Sequence, residues 1–174
     1  GICHERMTMT NSMRGKRWYV LDHGYIELVD WMGSDETIIE AARLYQGPAV
    51  RWSLLGDGPA KPACQDAAAG LDNVFFEARI PYAELPARIR RADILLGVFG
   101  TTQKAGRVIP NKVFQALAAG RPVVTQRSAA YPEPAPTSSA MAFVPPGDPQ
   151  ALADAVAAWA LDPEALIRRQ GAAR

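Results

Sequence analysis

The sequence predicts an α/β fold, a three-layer sandwich in which helices cover both faces of a mainly parallel β-sheet. From residue 48 onward, short apolar runs alternate with helical stretches of about ten residues, the pattern of βαβ units with right-handed crossovers. The run Ile94–Phe99 is almost wholly apolar, which is typical of a parallel strand that is buried on both faces. We expect a sheet of about five or six strands.

Short apolar runs bounded by turn residues predict the strands. The run that ends at Leu55, for example, is followed by Gly56–Pro59 (GDGP), a tight turn at the carboxyl end of a strand. The predicted strands cover Trp18–Asp22, Ala49–Leu55, Asn73–Phe76, Ile94–Phe99, Pro122–Thr125 and Met141–Val144.

Capping residues predict where the helices begin and end. Pro86 and Pro110 suit a first helical turn, where the missing N–H costs nothing, and Gly120 suits the position just past a helix end. Asp148 is a good N-cap. The predicted helices cover Asp35–Tyr45, Lys61–Ala69, Glu84–Ala92, Ile109–Ala119, Pro149–Leu161 and Pro163–Gln170.

Composition excludes several classes of function. The net charge of +1 gives no indication of a nucleic-acid or membrane partner. No apolar run reaches the roughly 18 residues that a membrane span needs. Two cysteines, Cys3 and Cys64, favour free thiols in a reducing compartment, with one disulfide as the alternative. With His4 and His23 as the histidines and no metal-ligand spacing, we expect no metal site, and we expect a cytoplasmic protein.

The stretch Gly100–Thr125 carries the pattern most typical of ligand binding. A small cationic loop leads into a predicted helix, whose first turn has N–H groups without acceptors and a partial positive charge. Such a helix start at the carboxyl edge of a parallel sheet suits a phosphate. Lys104, Arg107 and Lys112 add positive charge, and Gly106 lets a ligand approach the backbone. The alternative is an ordinary solvated loop.

The segment 48–174 resembles the C-terminal domain of retaining glycosyltransferases of family 4. Four stretches match that family in order. They are GDGP (Gly56–Pro59), LDNVFFEARIPYAELPARIRRADILL (Leu71–Leu96), IPNKVFQALAAGRPVV (Ile109–Val124) and FVPPGDPQALADAV (Phe143–Val156). The resemblance implies a Rossmann-like domain that binds the nucleoside diphosphate of a sugar donor, without a metal or a further cofactor.

The resemblance also implies roles for individual residues. The two glutamates of the family fall at Arg107 and Gln115. Gln115 can still accept a ribose hydrogen bond through its amide oxygen, whereas Arg107 cannot accept one and so cannot take the contact to the donor hexose. The backbone of Gly106, Arg107, Val108 and Ile109 matches the diphosphate loop, and Lys112 matches a lysine for which a phosphate-facing role is expected. Arg79-Ile80-Pro81 matches the segment whose backbone meets the nucleobase; a plain strand-to-helix turn is the alternative for Ile80.

The front of the chain resembles a different family. Trp18–Leu44 (WYVLDHGYIELVDWMGSDETIIEAARL) is similar to the N-terminus of flavin-dependent thymidylate synthases, but the flavin and dUMP motifs of those enzymes are not found. The arginine and lysine that open the glycosyltransferase domain are not found either. We therefore expect a chimeric chain: a flexible leader over 1–17, a foreign strand-helix segment over 18–47, and the glycosyltransferase domain over 48–174.

The sequence thus predicts the donor-binding half of a retaining glycosyltransferase. Because the acceptor domain is not found, we expect weak binding of a UDP- or GDP-sugar, no turnover by the chain alone, and no catalytic residue. A homodimer through an exposed sheet edge is also expected. The alternative is a folded chimeric module with no ligand. Among other polar residues, we expect Asp57 to form a turn, with a position facing the ligand as the alternative, and the resemblance implies a structural role for Asp93.

Overall fold

The computed structural model describes residues 26–31, 36–133 and 140–172. Strands and helices alternate along the chain, as the sequence predicts. The strands are β1 (Ile26–Trp31), β2 (Val50–Leu55), β3 (Val74–Glu77), β4 (Ile94–Leu96), β5 (Val123–Gln126) and β6 (Met141–Val144). The helices are α1 (Glu36–Leu44), α2 (Lys61–Ala67), α3 (Leu85–Arg91), α4 (Asn111–Ala118), α5 (Pro149–Ala160) and α6 (Pro163–Ala172), and 3-10 turns cover Tyr82–Glu84 and Ala105–Arg107.

The strands of the described residues form one six-stranded sheet in the order β3-β2-β1-β4-β5-β6. Every pair of neighbouring strands is parallel. The chain first moves outward from β1 to β3, then crosses back to place β4 on the other side of β1. This order confirms the predicted α/β class with a parallel sheet, and it makes the carboxyl edge beside β1 and β4 the place where such sheets bind ligands.

Two apolar layers hold helices against the sheet, because parallel strands must be covered on both faces. On one face, α1, α2, α5 and α6 pack on residues such as Trp52, which is fully buried. On the other face, α3 and α4 pack through Leu85, Ile89, Val113 and Ala116. The predicted three-layer sandwich is therefore confirmed.

The predicted elements from residue 49 onward are all present, with small differences at their ends. Asp148 caps α5 as expected, since its Oδ1 accepts from the Ala151 N–H at 2.9 Å. Pro110 is the N-cap of α4 instead of lying inside its first turn. The strand predicted over Ile94–Phe99 stops at Leu96, although the Gly97 N–H still donates to Val124 O and the Gln126 N–H donates to Val98 O.

The first strand is the main difference from the sequence prediction. The strand expected over Trp18–Asp22 lies outside the described residues, as does the leader over 1–17. The structure instead has β1 at Ile26–Trp31, between β2 and β4. The sequence IELVDW mixes apolar and acidic residues, which hid it from a search for apolar runs. The division at residues 47 and 48 stays a prediction.

Candidate functional site

The carboxyl ends of β2 and β3 form one side of a cleft of about 680 Å³. The turn after β2 provides one wall, and the chain after β3 provides the other. Gly56 begins the turn with a φ of 144°, a conformation that favours glycine. The cleft is lined by Leu54, Leu55, Gly56, Asp57, Gly58, Pro59, Ala60, Lys61, Phe76, Arg79, Ile80, Tyr82 and Leu85. Apolar walls with a few polar groups are the usual character of a small-molecule site.

Asp57 connects the two walls of the cleft. Its Oδ2 accepts a hydrogen bond from the Arg79 N–H at 2.9 Å, and its Oδ1 lies 2.8 Å from the Lys61 ammonium. Lys61 also donates to the carbonyl oxygen of Glu77 at 3.2 Å. The hydrogen bond from Lys61, followed by that from the Arg79 N–H, lowers the pKa of Asp57 below its ordinary value. Asp57 therefore does more than form a turn.

The loop before α4 forms a second part of the carboxyl edge. In its 3-10 turn, the Gly106 N–H donates to Thr102 O at 3.2 Å and the Arg107 N–H donates to Lys104 O at 3.1 Å. These two N–H groups of the predicted diphosphate loop are thus already engaged. The N–H groups of Val108 and Ile109 have no acceptor within the described part of the chain. They are the donors of this loop that remain for an anion.

The loop after β5 holds the α4 loop in place. Ser128 Oγ donates to Val108 O at 3.4 Å, and the Ala129 N–H donates to Gly106 O at 3.2 Å. Because the carbonyl groups of Gly106 and Val108 are directed toward residues 128 and 129, the loop has a defined conformation. Arg107 is exposed to solvent.

Helix α4 places Lys112 and Gln115 differently. Lys112 is only 8% exposed although it is a charged residue, whereas its neighbour Val113 belongs to the second apolar layer. Gln115 lies one turn further along, where its Nε2 is 3.5 Å from Tyr82 Oη, a long contact. Its Oε1 is shielded from solvent and has no partner in the described residues. Asn73 Oδ1 and Gln126 Oε1 share this state, and the Gln115 oxygen differs from them because Gln115 contacts Tyr82 at the cleft.

The structure thus brings together only some of the predicted site residues. Ile80 lines the cleft, and Gln115 reaches the same cleft through Tyr82. Gly106–Ile109 lie on the separate loop before α4. Tyr82 is a residue that sequence reasoning missed: its side chain is 76% exposed although it is a large aromatic group. Its position just after Ile80, past the carboxyl end of a strand, was the available signal.

A network of ion pairs lies beneath the cleft, on the α3 side of the sheet. Arg88 Nη2 lies 2.8 Å from Glu27 Oε1 and 2.6 Å from Glu77 Oε1. Ser53 donates to Glu27 at 3.3 Å. The hydrogen bonds from Arg88 are the main cause that lowers the pKa of Glu77. The network therefore ties α3 to β1 and to the end of β3 from which the cleft wall continues.

Asp93 has the structural role that the sequence predicted for it. It is fully buried, its Oδ2 accepts from the Glu27 N–H at 3.0 Å, and its own N–H donates to Glu27 O at 2.9 Å. It thereby fixes β4 against β1 and takes no part in the cleft.

A family comparison identifies the chain. The model of the family described as glycosyl transferases group 1 matches residues 27–162. The chain belongs to this family. In this chain, the cleft and the start of α4 lie at the carboxyl edge of a Rossmann-like sheet. The sequence resemblance implied the same fold.

Solved structures share the fold of this glycosyl transferases group 1 domain. The C-terminal domain of the group 1 protein LpcC from Francisella tularensis has a TM-score of 0.68 at 20% identity, over 86% of this chain and 82% of that domain. HepE from Anabaena, in complex with UDP-glucose, has a TM-score of 0.68 at 17% identity. The chain spans 42% of the length of HepE. These likenesses establish the fold alone.

A short match to another family is also present. The flavin-dependent thymidylate synthase of Wolbachia pipientis wMel is 53% identical over 32 residues, which are 18% of this chain and 11% of that enzyme. This match agrees with the resemblance seen at Trp18–Leu44. Across the described residues, no helix is long and apolar enough to cross a membrane, and no group of three or more His, Cys, Asp or Glu side chains is placed to hold a metal.

Proposed function

We propose that this domain binds the nucleoside diphosphate part of a nucleotide sugar, such as a UDP- or GDP-sugar, as the donor half of a retaining glycosyltransferase. The observation that carries the proposal is the shielded, unpartnered Oε1 of Gln115 beside Tyr82 at the edge of the cleft. An acceptor of this kind is suited to a ribose hydroxyl group, which is a donor. The HepE complexes contain UDP and UDP-glucose.

In the proposed binding mode, the nucleobase lies in the cleft next to Ile80. The cleft walls are largely apolar, and Tyr82 offers an exposed ring at its rim. A planar base buries apolar area there while its polar edge remains near the backbone of Arg79–Pro81. Gln115 then lies on the side of the cleft toward α4, where a ribose attached to the base would extend.

In the same binding mode, the diphosphate lies at the start of α4. The N–H groups of Val108 and Ile109 and the helix start favour an anion, by about 0.3–1 kcal/mol for the helix alone. Lys112 in the first turn supports this placement, although its side chain is largely buried. The N–H groups of Gly106 and Arg107 donate within the turn and are not available to a phosphate. We therefore expect weak nucleotide binding, with a dissociation constant near the millimolar range.

Transfer of the sugar is not expected from this chain alone, because the acceptor side of a family 4 site is contributed by a second domain. A cytoplasmic location and a homodimer through a sheet edge remain predictions; in the described sheet, the edge strands are β3 and β6. The competing function is a folded chimeric module without a ligand. The use of the Gly106 and Arg107 N–H groups inside their own loop favours that alternative.

A titration of UDP and GDP, followed by amide chemical shifts, tests the proposal. We expect shifts at residues 79–82 and 106–115. Gln115→Ala removes a neutral hydrogen bond, worth about 0.5–1.5 kcal/mol, and so weakens binding about two- to tenfold. Gln150→Ala is the matched control, since Gln150 is an exposed glutamine on α5, which packs on the other face of the sheet.

The outcomes separate the two functions. Shifts confined to the cleft and the α4 loop, weakened by Gln115→Ala but unchanged by Gln150→Ala, support a donor site. If neither nucleotide shifts any amide at about 10 mM, well above a millimolar dissociation constant, the module without a ligand is the correct description.

A further inference from the structure

The two walls of the cleft are joined through one carboxylate. Asp57 lies in the turn after β2, and both of its oxygens are in use, one on the Arg79 N–H and one on the Lys61 ammonium. Lys61 continues the connection to Glu77 O, at the end of β3. The segment Arg79–Pro81 is therefore attached to the opposite wall by side-chain contacts as well as by the chain itself.

The position of these contacts determines the shape of the cleft. The Gly56 N–H donates to Glu77 O at 3.1 Å, so the turn and the end of β3 are already in backbone contact. Past that contact, within the described residues, the hydrogen bond from the Arg79 N–H to Asp57 is the next one between the turn after β2 and the chain after β3. Without it, the backbone at Ile80 is free to move away from Gly58 and widen the cleft.

Charge supports the same role. The Asp57 carboxylate is ionised at neutral pH, as aspartates ordinarily are, and an ionised carboxylate is a strong hydrogen-bond acceptor. The hydrogen bond from Lys61 is the main cause that lowers its pKa further. Asp57 itself is engaged by protein donors and has little need of a ligand. It acts on a ligand through the backbone that it holds.

We propose that Asp57 is a positioning residue for nucleobase binding: it fixes the Arg79–Pro81 backbone across the cleft without contacting the base itself. The inference rests on the proposed function, since it assigns the base to this cleft. The inference predicts that base binding depends on the fixed Arg79–Pro81 segment. Diphosphate binding at the start of α4 should not depend on it.

The test compares three ligands on three variants by amide chemical shifts. UDP and uridine report on the cleft, and inorganic diphosphate reports on the α4 loop. Asp57→Ala removes both contacts, and we expect uridine and UDP to bind about fivefold more weakly with diphosphate unchanged. Asp57→Asn keeps an oxygen that can accept from the Arg79 N–H, and we expect it to restore most of the affinity. Asp66→Asn is the control, because Asp66 is an exposed aspartate on α2 with the same charge change.

The failures are distinguishable. If the wild-type chain binds UDP but Asp57→Ala binds uridine and UDP as tightly as wild type, the positioning role is wrong while the proposed function stands. If Asp57→Ala weakens diphosphate as much as uridine, the residue acts on overall stability and the inference is again wrong. If wild type binds none of uridine, UDP and GDP, both proposals fail; if it binds GDP alone, the same comparison is made with guanosine and GDP. Selective weakening that Asp57→Asn restores and Asp66→Asn does not reproduce supports the inference.

Discussion

Gly97 follows β4 at a point where no side chain fits. A Cβ built on this residue would lie 2.1 Å from Thr125 Oγ1 and 2.4 Å from Thr125 Cβ. Thr125 is fully buried in β5. The close approach of these two backbones sets the spacing of the sheet at its carboxyl edge, next to the proposed site.

Replacing Gly97 with alanine should therefore destabilise the fold. We expect Gly97→Ala to lower the free energy of unfolding by about 1–3 kcal/mol, the usual cost of an added group in a packed core. The measurement is the urea midpoint followed by circular dichroism. Gly58→Ala is the control, since nothing lies within 4 Å of a Cβ at Gly58, and a change of less than about 0.5 kcal/mol is expected there. Equal midpoints for the two variants would contradict this account.

At the scale of elements, helix α3 is attached to the sheet by charge as well as by apolar packing. Leu85 and Ile89 face the second apolar layer, while Arg88 joins Glu27 on β1 to Glu77 at the end of β3. Glu27 is 8% exposed. A carboxylate at this depth is costly to leave without its partner, because its hydration has already been lost.

Replacing Arg88 with alanine should therefore lower the free energy of unfolding more than the same replacement at an exposed position of α3. We expect Arg88→Ala to lower the free energy of unfolding by about 3 kcal/mol, because it leaves the buried Glu27 carboxylate and the partly buried Glu77 carboxylate without their cation. Arg91→Ala, at an exposed position of α3, should change it by less than about 0.5 kcal/mol. Urea melts of both variants decide the matter. A loss for Arg88→Ala as small as that for Arg91→Ala would show that the ion pairs contribute little.

The elements were predictable where local chemistry determines them. Asp148 caps α5 because its oxygen reaches the Ala151 N–H, a contact between residues three apart in sequence. Strand β1 was not predicted, because Glu27 is acceptable in a buried strand only through Arg88, a residue far along the chain. Tyr82 was missed for the same reason. Its position past the end of β3 could be read from the sequence, but its contact with Gln115, 33 residues further along the chain, could not.

The whole molecule should have a limited range of pH in which it is most stable. The pKa of Glu77 is lowered from 4.5, mainly by hydrogen bonds from Arg88, and its stabilising effect is present above 4.5 and lost as the pH falls through the folded value. Burial raises the pKa of Tyr45 from 10.0 to about 12. Its effect has the opposite sign: it is present below 10.0 and is lost as the pH rises toward 12.

A series of urea melts across pH tests this expectation. The free energy of unfolding should be nearly constant around neutral pH, fall below about pH 4.5 and fall above about pH 10. Tyr45→Phe removes the group that titrates on the alkaline side, so the decline above pH 10 should become shallower. An alkaline decline of the same slope in Tyr45→Phe and wild type would show that Tyr45 is not responsible.

The architecture could be predicted further than the site. Alternating apolar runs and helix signals indicate parallel βαβ units wherever they occur, so the sheet and its two covered faces follow from the order of residues alone. The site depends on which loops meet at the carboxyl edge. The N–H groups of Gly106 and Arg107 donate to the carbonyl groups of Thr102 and Lys104. These hydrogen bonds depend on the loop conformation, which cannot be predicted from the residue types.

The central position of β1 has a consequence for how the molecule assembles. This strand is the first of the described sheet in the chain, yet it joins β2 and β3 on one side to β4, β5 and β6 on the other. During synthesis, β1 must therefore keep one open edge until β4 has emerged, more than 60 residues later. The backbone ladder that closes there accepts almost any apolar sequence, whereas the Glu27 carboxylate needs Arg88 as its partner. The Glu27 N–H also donates to the Asp93 carboxylate, directly before β4. When β4 pairs with β1, the sheet is thus stabilised by side-chain contacts of Arg88 and Asp93, just before β4, with Glu27 on β1.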